Sequence, residues 1–189
     1  MRTLWTHLGR ELGASAAEIE AVLAAFSPLP APRDSVLVER GAPVEAFFYL
    51  ESGVIHFAEQ RYGRDLTTWL TDRPQLFTDL IGFRQNRPAT LEIRTLADSE
   101  VYRIDRADVE RLDGESLLWN RFARRVWEEA FAGTLDALAV VRTGTGEQRY
   151  ADLVERPGLV HVAPLNKLSS YIGVTPSSLS RIRRRRAEG

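Results

Sequence analysis

Residues 164–186 read PLNKLSSYIGVTPSSLSRIRRRR, and this run decides how the whole chain is organised. Leu168 and Ile172 are four apart and share one face of a short helix. Gly173 supplies the positive φ that closes it. Thr175 then serves as an N-cap, with Pro176 at the first position of a second helix. Leu179 and Ile182 give that helix its inward face. Two short helices joined by a glycine-containing turn are a helix-turn-helix. Each residue advances about 100° around the axis, so Ser177, Ser178, Arg181, Arg184 and Arg185 gather opposite the apolar pair. Short hydroxyls first (Thr175, Ser177, Ser178) and arginines after them (Arg181, Arg183, Arg184, Arg185, Arg186) suit a helix that enters a DNA major groove N-terminus first. A solvated amphipathic helix with a basic tail is the plainer alternative.

Charge is distributed in keeping with the first reading. The net charge is −1. From Arg142 onward, nine basic residues face four acids, a balance of +5, so the preceding segment carries −6. An acidic body with a basic end points to a polyanionic partner for the end only. Apolar residues make up 44% of the chain, enough for a packed core, and 189 residues suit one large or two small domains. With no cysteine, disulfides, a catalytic thiol and thiolate-held zinc or iron–sulfur sites are excluded. The opening MRTLWTHLGRELGAS lacks the apolar core of a signal peptide, and no apolar run is long enough to span a bilayer. The expectation is a cytoplasmic protein without a membrane partner.

Immediately upstream, Leu159-Val160-His161-Val162 reads as a short strand and makes the unit winged on that side. Thr145 and Gln148 form a capping box for a helix packed through Tyr150, Leu153 and Val154. Thr143-Gly144-Thr145-Gly146 is a hinge; its glycines fit neither GxGxxG nor a P-loop. Before it lies the longest periodic stretch, from Trp119 to Val141, following a break near Asp113-Gly114. Its apolar stripe is wide. Trp119, Phe122, Val126, Ala130, Gly133 and Ala137 are the expected dimer face, the small residues allowing close approach of a second copy; a helix packed across two domains of one chain is the alternative.

The segments SVLVE, AFFYLE, VIHFAE, LTTWL, TLEIRTL and EVYRID, between Ser35 and Asp105, are short, rich in β-branched and aromatic residues, and separated by glycine, proline and Asx turns. They predict an antiparallel β-roll or jelly roll. Ahead of them Ile19, Val22, Leu23 and Phe26 predict a helix, started by a Ser15/Glu18 capping box and stopped by Pro28, Pro30 and Pro32. Asp105 caps the helix that follows the roll, with Asp108 in its first turn. TDLIGFRQNRPAT, residues 78–90, interrupts the strands as an apolar turn and polar loop. It is the candidate effector loop, with Asp79, Arg84, Arg87 and Thr90 as its polar groups. His7, His56 and His161 are not at metal-ligand spacing, the serines have no GxSxG context and the carboxylates are scattered. No catalytic, metal or cofactor site emerges, so an enzyme is not expected.

On these residues the chain resembles the Crp/Fnr superfamily of bacterial transcription regulators. NKLSSYIGVTPSSLSRIRRRR is similar to the family's helix-turn-helix, VERGAPVEAFFYLESGVIHF to its β-roll, and TLADSEVYRIDRADVERL to its last strand and following helix. The resemblance covers about Val36 to Arg186. It implies a cyclic-nucleotide-binding-like β-roll, a long dimerisation helix and a C-terminal DNA-binding unit. It aligns Arg181 with the family's recognition-helix arginine, a guanine reader, and leaves Arg183 to Arg186 for phosphates. Relatives that bind cyclic AMP carry Gly-Glu early in this loop and an arginine near its end. The resemblance places Thr78 and Asp79 at the first pair and Ala89 at the arginine, so a cyclic phosphate loses its guanidinium partner. Pro176 and Ser177 stand where better-known members carry Arg and Glu, which implies a different operator. Only three residues follow Arg186, leaving no room for a second wing hairpin.

The fold expected is therefore α+β: a β-roll, a long dimerisation helix and a winged helix-turn-helix with a reduced wing. Domains divide at 1–113, 114–142 and 143–189. The function expected is a homodimeric, sequence-specific regulator acting on double-stranded DNA, with an unidentified small-molecule effector and RNA polymerase as a candidate partner. A cyclic-nucleotide-responsive regulator, or a small-molecule or protein-binding module without specific DNA binding, are the alternatives.

Overall fold

All six apolar segments form strands in the computed structural model, which describes residues 1–10 and 13–188. They are β2 (Val36–Val38), β3 (Ala46–Ser52), β4 (Ile55–Arg61), β5 (Arg64–Thr71), β7 (Leu91–Thr95) and β8 (Ser99–Asp105). Two further strands, β1 (Ser27–Ala31) and β6 (Gln75–Phe77), complete two four-stranded antiparallel sheets ordered β1-β8-β3-β6 and β2-β7-β4-β5. In β1 the prolines do not end the structure. It pairs only with β8, and an edge strand tolerates Pro28 and Pro30 because their missing N–H groups face no second neighbour. The sheets close on Phe48, Phe57 and Phe77. Phe48 and Phe77 are paired residues with stacked rings 5.6 Å apart, and Phe57 meets Phe77 edge-on at 5.7 Å.

Around the roll pack α1 (Arg2–Arg10), α2 (Ala16–Leu23), α4 (Arg106–Glu115) and the first half of α5 (Leu117–Thr143). The Ser15/Glu18 box is formed at α2. Asp105 is the N-cap of α4, but its carboxylate is turned to Arg103, so the cap has no side-chain hydrogen bond. The helix break falls at Ser116, not at Asp113-Gly114, because the Ser116 hydroxyl accepts from the Trp119 amide and starts α5 there.

A second apolar core joins the roll to the C-terminal unit. Val54, Leu70 and Leu96 meet Leu159, Leu168 and Leu179 in it. The unit consists of α6 (Gly146–Val154), α7 (Pro157–Val162), α8 (Leu165–Tyr171) and α9 (Pro176–Glu188). Here the expected strand at Leu159–Val162 is wrong. Pro157 at the first position favours a helix, and the buried Leu159 and Ala163, four apart, share its inward face. No strand follows β8 among the described residues, so the reduced wing is no wing at all.

The long helix also corrects an expectation. Trp119 and Phe122 are buried in the chain's own first core and cannot face a partner. Val126, Ala130, Gly133 and Ala137 continue that side and line the space between α5, the roll and the C-terminal unit. The large apolar residues most exposed are Phe131, Leu135, Leu138 and Val141, with Phe131 66% exposed, and of these Leu138 and Val141 also border the space beside the C-terminal unit. Phe131, Leu135 and Leu138 recur at four and three residues, the spacing of a coiled-coil seam.

Candidate nucleic-acid interface and effector loop

The helix-turn-helix is built as its residues dictate. Leu168, Ile172, Leu179 and Ile182 are buried between α8 and α9. Gly173 takes φ +66°, and the Gly173 and Val174 amides donate to the last carbonyls of α8, those of Ser170 and Ser169. Thr175 caps α9 by accepting from the Ser178 amide at 3.2 Å. Ser177, Arg181, Arg183, Arg184, Arg185 and Arg186 are exposed. Ser178 is half-buried, and its hydroxyl accepts from Arg181 Nη2 at 3.2 Å, which holds the guanidinium back toward the start of the helix. Arg185 pairs with Glu147 of α6 at 2.9 Å, so part of its charge is already spoken for.

Two connections that the sequence gave no sign of fix this unit in place. Arg149 reaches across the hinge: Nη1 donates to the Gly144 carbonyl at 2.7 Å and Nε to that of Ile172 at 2.6 Å. One guanidinium thus serves the end of α5 and the turn before α9, where helix carbonyls lack partners. Gly146 is needed beside it, since a Cβ there would lie 2.9 Å from Val174 Cγ1. The second connection runs to the roll. Arg156 pairs with Asp72 at 2.8 Å, the Thr67 amide donates to Ser170 Oγ at 2.9 Å, and Trp69 meets Tyr171 edge-on at 6.4 Å. Beneath it lies His56, fully buried, with Nε2 3.1 Å from Thr67 Oγ1 and Nδ1 without a partner. Burial first, then the charges of Lys167 and Arg94, push this imidazole down to about 4 against the opposing pull of Asp65, so it is neutral.

In the effector loop, residues 80–85 form a helix, α3 (Leu80–Gln85), where the sequence suggested only a turn. Asp79 caps it, and the rest of its carboxylate is occupied too. Oδ1 accepts from the Gly82 amide at 3.0 Å; Oδ2 accepts from the Thr90 amide at 2.7 Å, the Leu91 amide at 3.0 Å and Thr90 Oγ1 at 3.1 Å. Three amides and a hydroxyl therefore converge on one carboxylate that is 2% exposed. Gly82 is the residue that permits this closure, because a Cβ would strike Val44 Cγ2 at 2.7 Å and crowd the Arg87 carbonyl.

Of the expected effector residues, the fold brings Asp79 and Thr90 together and leaves the arginines apart. Arg84 pairs with Asp113 at 2.6 Å and lies over the Phe47 ring. Arg87 is exposed. Ala89 is buried, and its backbone bridges Gly41 and Ala42, so no guanidinium stands at that position. Arg106, which sequence reasoning passed over, seals the loop from below, with its guanidinium 4.0 Å from the Phe83 ring centroid and donating to the Phe83 and Val44 carbonyls. Among the described residues no helix is long and apolar enough to cross a membrane, and no group of three His, Asp or Glu could hold a metal ion.

An antiparallel roll with a short capped helix in its loop, a long helix on its flank and a terminal helix-turn-helix make a two-core architecture. Residues 29–115 match the cyclic nucleotide-binding domain family. No curated protein matches the chain. Among solved structures it is similar to the c-di-GMP responsive global regulator CLP of Xanthomonas campestris (16% identity, 93% of each chain covered, TM-score 0.67). It is also similar to FixK2 of Bradyrhizobium japonicum (17% identity, 85% of this chain and 83% of that one, TM-score 0.66). A third is the catabolite activator protein of Thermus thermophilus (19% identity, 96% and 87%, TM-score 0.55). At these identities the likeness is one of fold.

Proposed function

We propose that the protein is a homodimeric, sequence-specific DNA-binding transcription regulator rather than an enzyme, and that its sensor domain does not take cyclic AMP in the usual way. The observation that carries the DNA reading is α9. Its Ser177 and Arg181 face is exposed and capped, and is followed by four consecutive arginines. Arg181 reads a base edge; Arg183, Arg184 and Arg186 meet phosphates, with Arg185 joining them once it leaves Glu147. Thr175 and Ser178 act as the cap and as the bracket for Arg181. The sensor, helix and reader divide at 1–113, 114–142 and 143–189. Two copies pair through Phe131, Leu135 and Leu138, which places two recognition helices on successive major grooves about 34 Å apart. RNA polymerase is the partner such a regulator addresses.

Against cyclic AMP stands the Asp79 carboxylate, which fills the amides that would receive a phosphate, and the absence of a guanidinium at Ala89. Selection of bound sites from random DNA tests the DNA reading, with a near-palindromic consensus expected. If no sequence is enriched, and binding is insensitive to salt, the protein is a binding module of another kind. Calorimetry with cyclic AMP tests the sensor: tight binding by the unaltered chain sinks the argument from Asp79 and Ala89.

A further inference from the structure

The outer half of α5, which carries Phe131, Leu135 and Leu138, is not held by packing: no residue from Phe131 to Thr143 is buried. Only Gly144 and Thr145 separate it from α6, and both have extended backbone. Such a link fixes how close α5 and α6 stand but leaves their angle free, as a hinge of a few residues does.

Arg149 supplies the angle. Its Nη1 donates to the Gly144 carbonyl at 2.7 Å and to that of Val141 at 3.5 Å; Nε donates to Ile172 at 2.6 Å and Nη2 to Gly173 at 3.5 Å. Those acceptors lie at the C-terminal ends of α5 and α8, where carbonyls lack helical partners and a cation is favoured. A guanidinium is planar and its donors form a rigid fork, so bonds on two sides set an orientation as well as a distance. On its own side Arg149 is anchored. Tyr150 and Leu153 of α6 are buried in the second core, and Gly146 leaves no gap against Val174 and Ile182. Helix α6 therefore moves with the turn and α9, and Arg149 is the strut from them to α5. The contacts of Arg156, Ser170 and Tyr171 end on Asp72, Thr67 and Trp69 of the roll, not on this half of α5.

We propose that Arg149 is a positioning residue that sets the half-site spacing of the DNA the protein recognises. This rests on the proposed function, in which two copies pair through the outer half of α5. The angle at the junction then decides how far apart the two α9 helices stand. One base pair more or less moves a half-site by about 3.4 Å and turns it by about 35°, beyond what a hydrogen bond to a base edge tolerates. In this role Arg149 touches no base.

The test uses the full chain and the duplex selected from random DNA, re-spaced by one base pair in each direction, with a single half-site as control. The unaltered chain should lose about tenfold or more on re-spacing, the worth of at least one bidentate base contact. Arg149→Gln should bind the single half-site as before and lose most of the spacing preference. Arg149→Lys keeps a cation at the two helix ends without the fork, and should fall between. The proposal is overturned if the unaltered chain tolerates re-spacing, or if Arg149→Gln keeps the full preference. It is overturned too if Arg149→Gln weakens half-site and full site in equal proportion, which would make Arg149 a part of the fold alone. Where Arg149→Gln does not fold, Arg149→Lys decides, and an unrelaxed preference in that variant sinks the idea. A chain that selects no DNA site removes the proposed function and this role together; a sharp preference indifferent to Arg149 removes this role alone.

Discussion

Replacing Asp79 by alanine removes one acceptor shared by four donors, and the structure says which of them suffer. Thr90 is exposed, so its amide and hydroxyl can turn to water. The Gly82 amide is buried and that of Leu91 half-buried, and both lose a charged partner with no substitute nearby. An orphaned buried donor costs about 1–3 kcal/mol, so two give a loss of about 2–6 kcal/mol, a large part of the roughly 5–15 kcal/mol of a typical domain. Asparagine should do little better. Its oxygen can still accept from Gly82, but its amide group then confronts the Thr90 and Leu91 donors. Urea denaturation of the three proteins measures the losses, and hydrogen exchange at Gly82 and Leu91 locates them. A loss below about 1 kcal/mol for alanine, or asparagine behaving as wild type, would refute the claim that this carboxylate holds the loop.

Three further outcomes follow from the same geometry. If two copies pair as proposed, Phe131→Glu or Leu135→Glu should give a monomer in sedimentation with little change in melting, since both side chains are exposed in the single chain; a persistent dimer would move the interface elsewhere. Arg181→Ala should flatten sequence preference at one base step by about 1–3 kcal/mol in competition binding, whereas neutralising Arg183 or Arg184 should weaken all sites alike and lower the salt slope by about 1 per charge. His56 binds its proton less readily in the folded chain than in the unfolded one, so stability should fall as pH drops from 6.5 towards about 4, by at most about 3 kcal/mol, and level off below. A His56→Gln variant that keeps the same pH dependence would assign that loss to other groups.

Local chemistry carried much of the architecture. The helix-turn-helix was legible because its signals are contiguous: Gly173, Thr175-Pro176 and the Leu168/Ile172 and Leu179/Ile182 pairs each act within a turn of one another. The six strands, the Ser15 and Thr145 capping boxes and the length of α5 were legible for the same reason.

What local pattern missed depended on neighbours distant in sequence. Prolines in β1 are tolerated because β1 lies on an edge, and LVHV became a helix because Leu159 had a core to enter. The apolar stripe of α5 could not say which side faces the chain's own roll; packing claimed Trp119 and Phe122 and left Phe131, Leu135 and Leu138 outside. So too with the site. Sequence named Asp79 and Thr90 among four loop residues, but only folding, by bringing residues 79, 82, 90 and 91 around one carboxylate, satisfied the loop's amides from within. Helix α9 was written in adjacent residues. Its orientation was not, for that is set by Arg149 and Arg156 reaching partners up to 84 positions away.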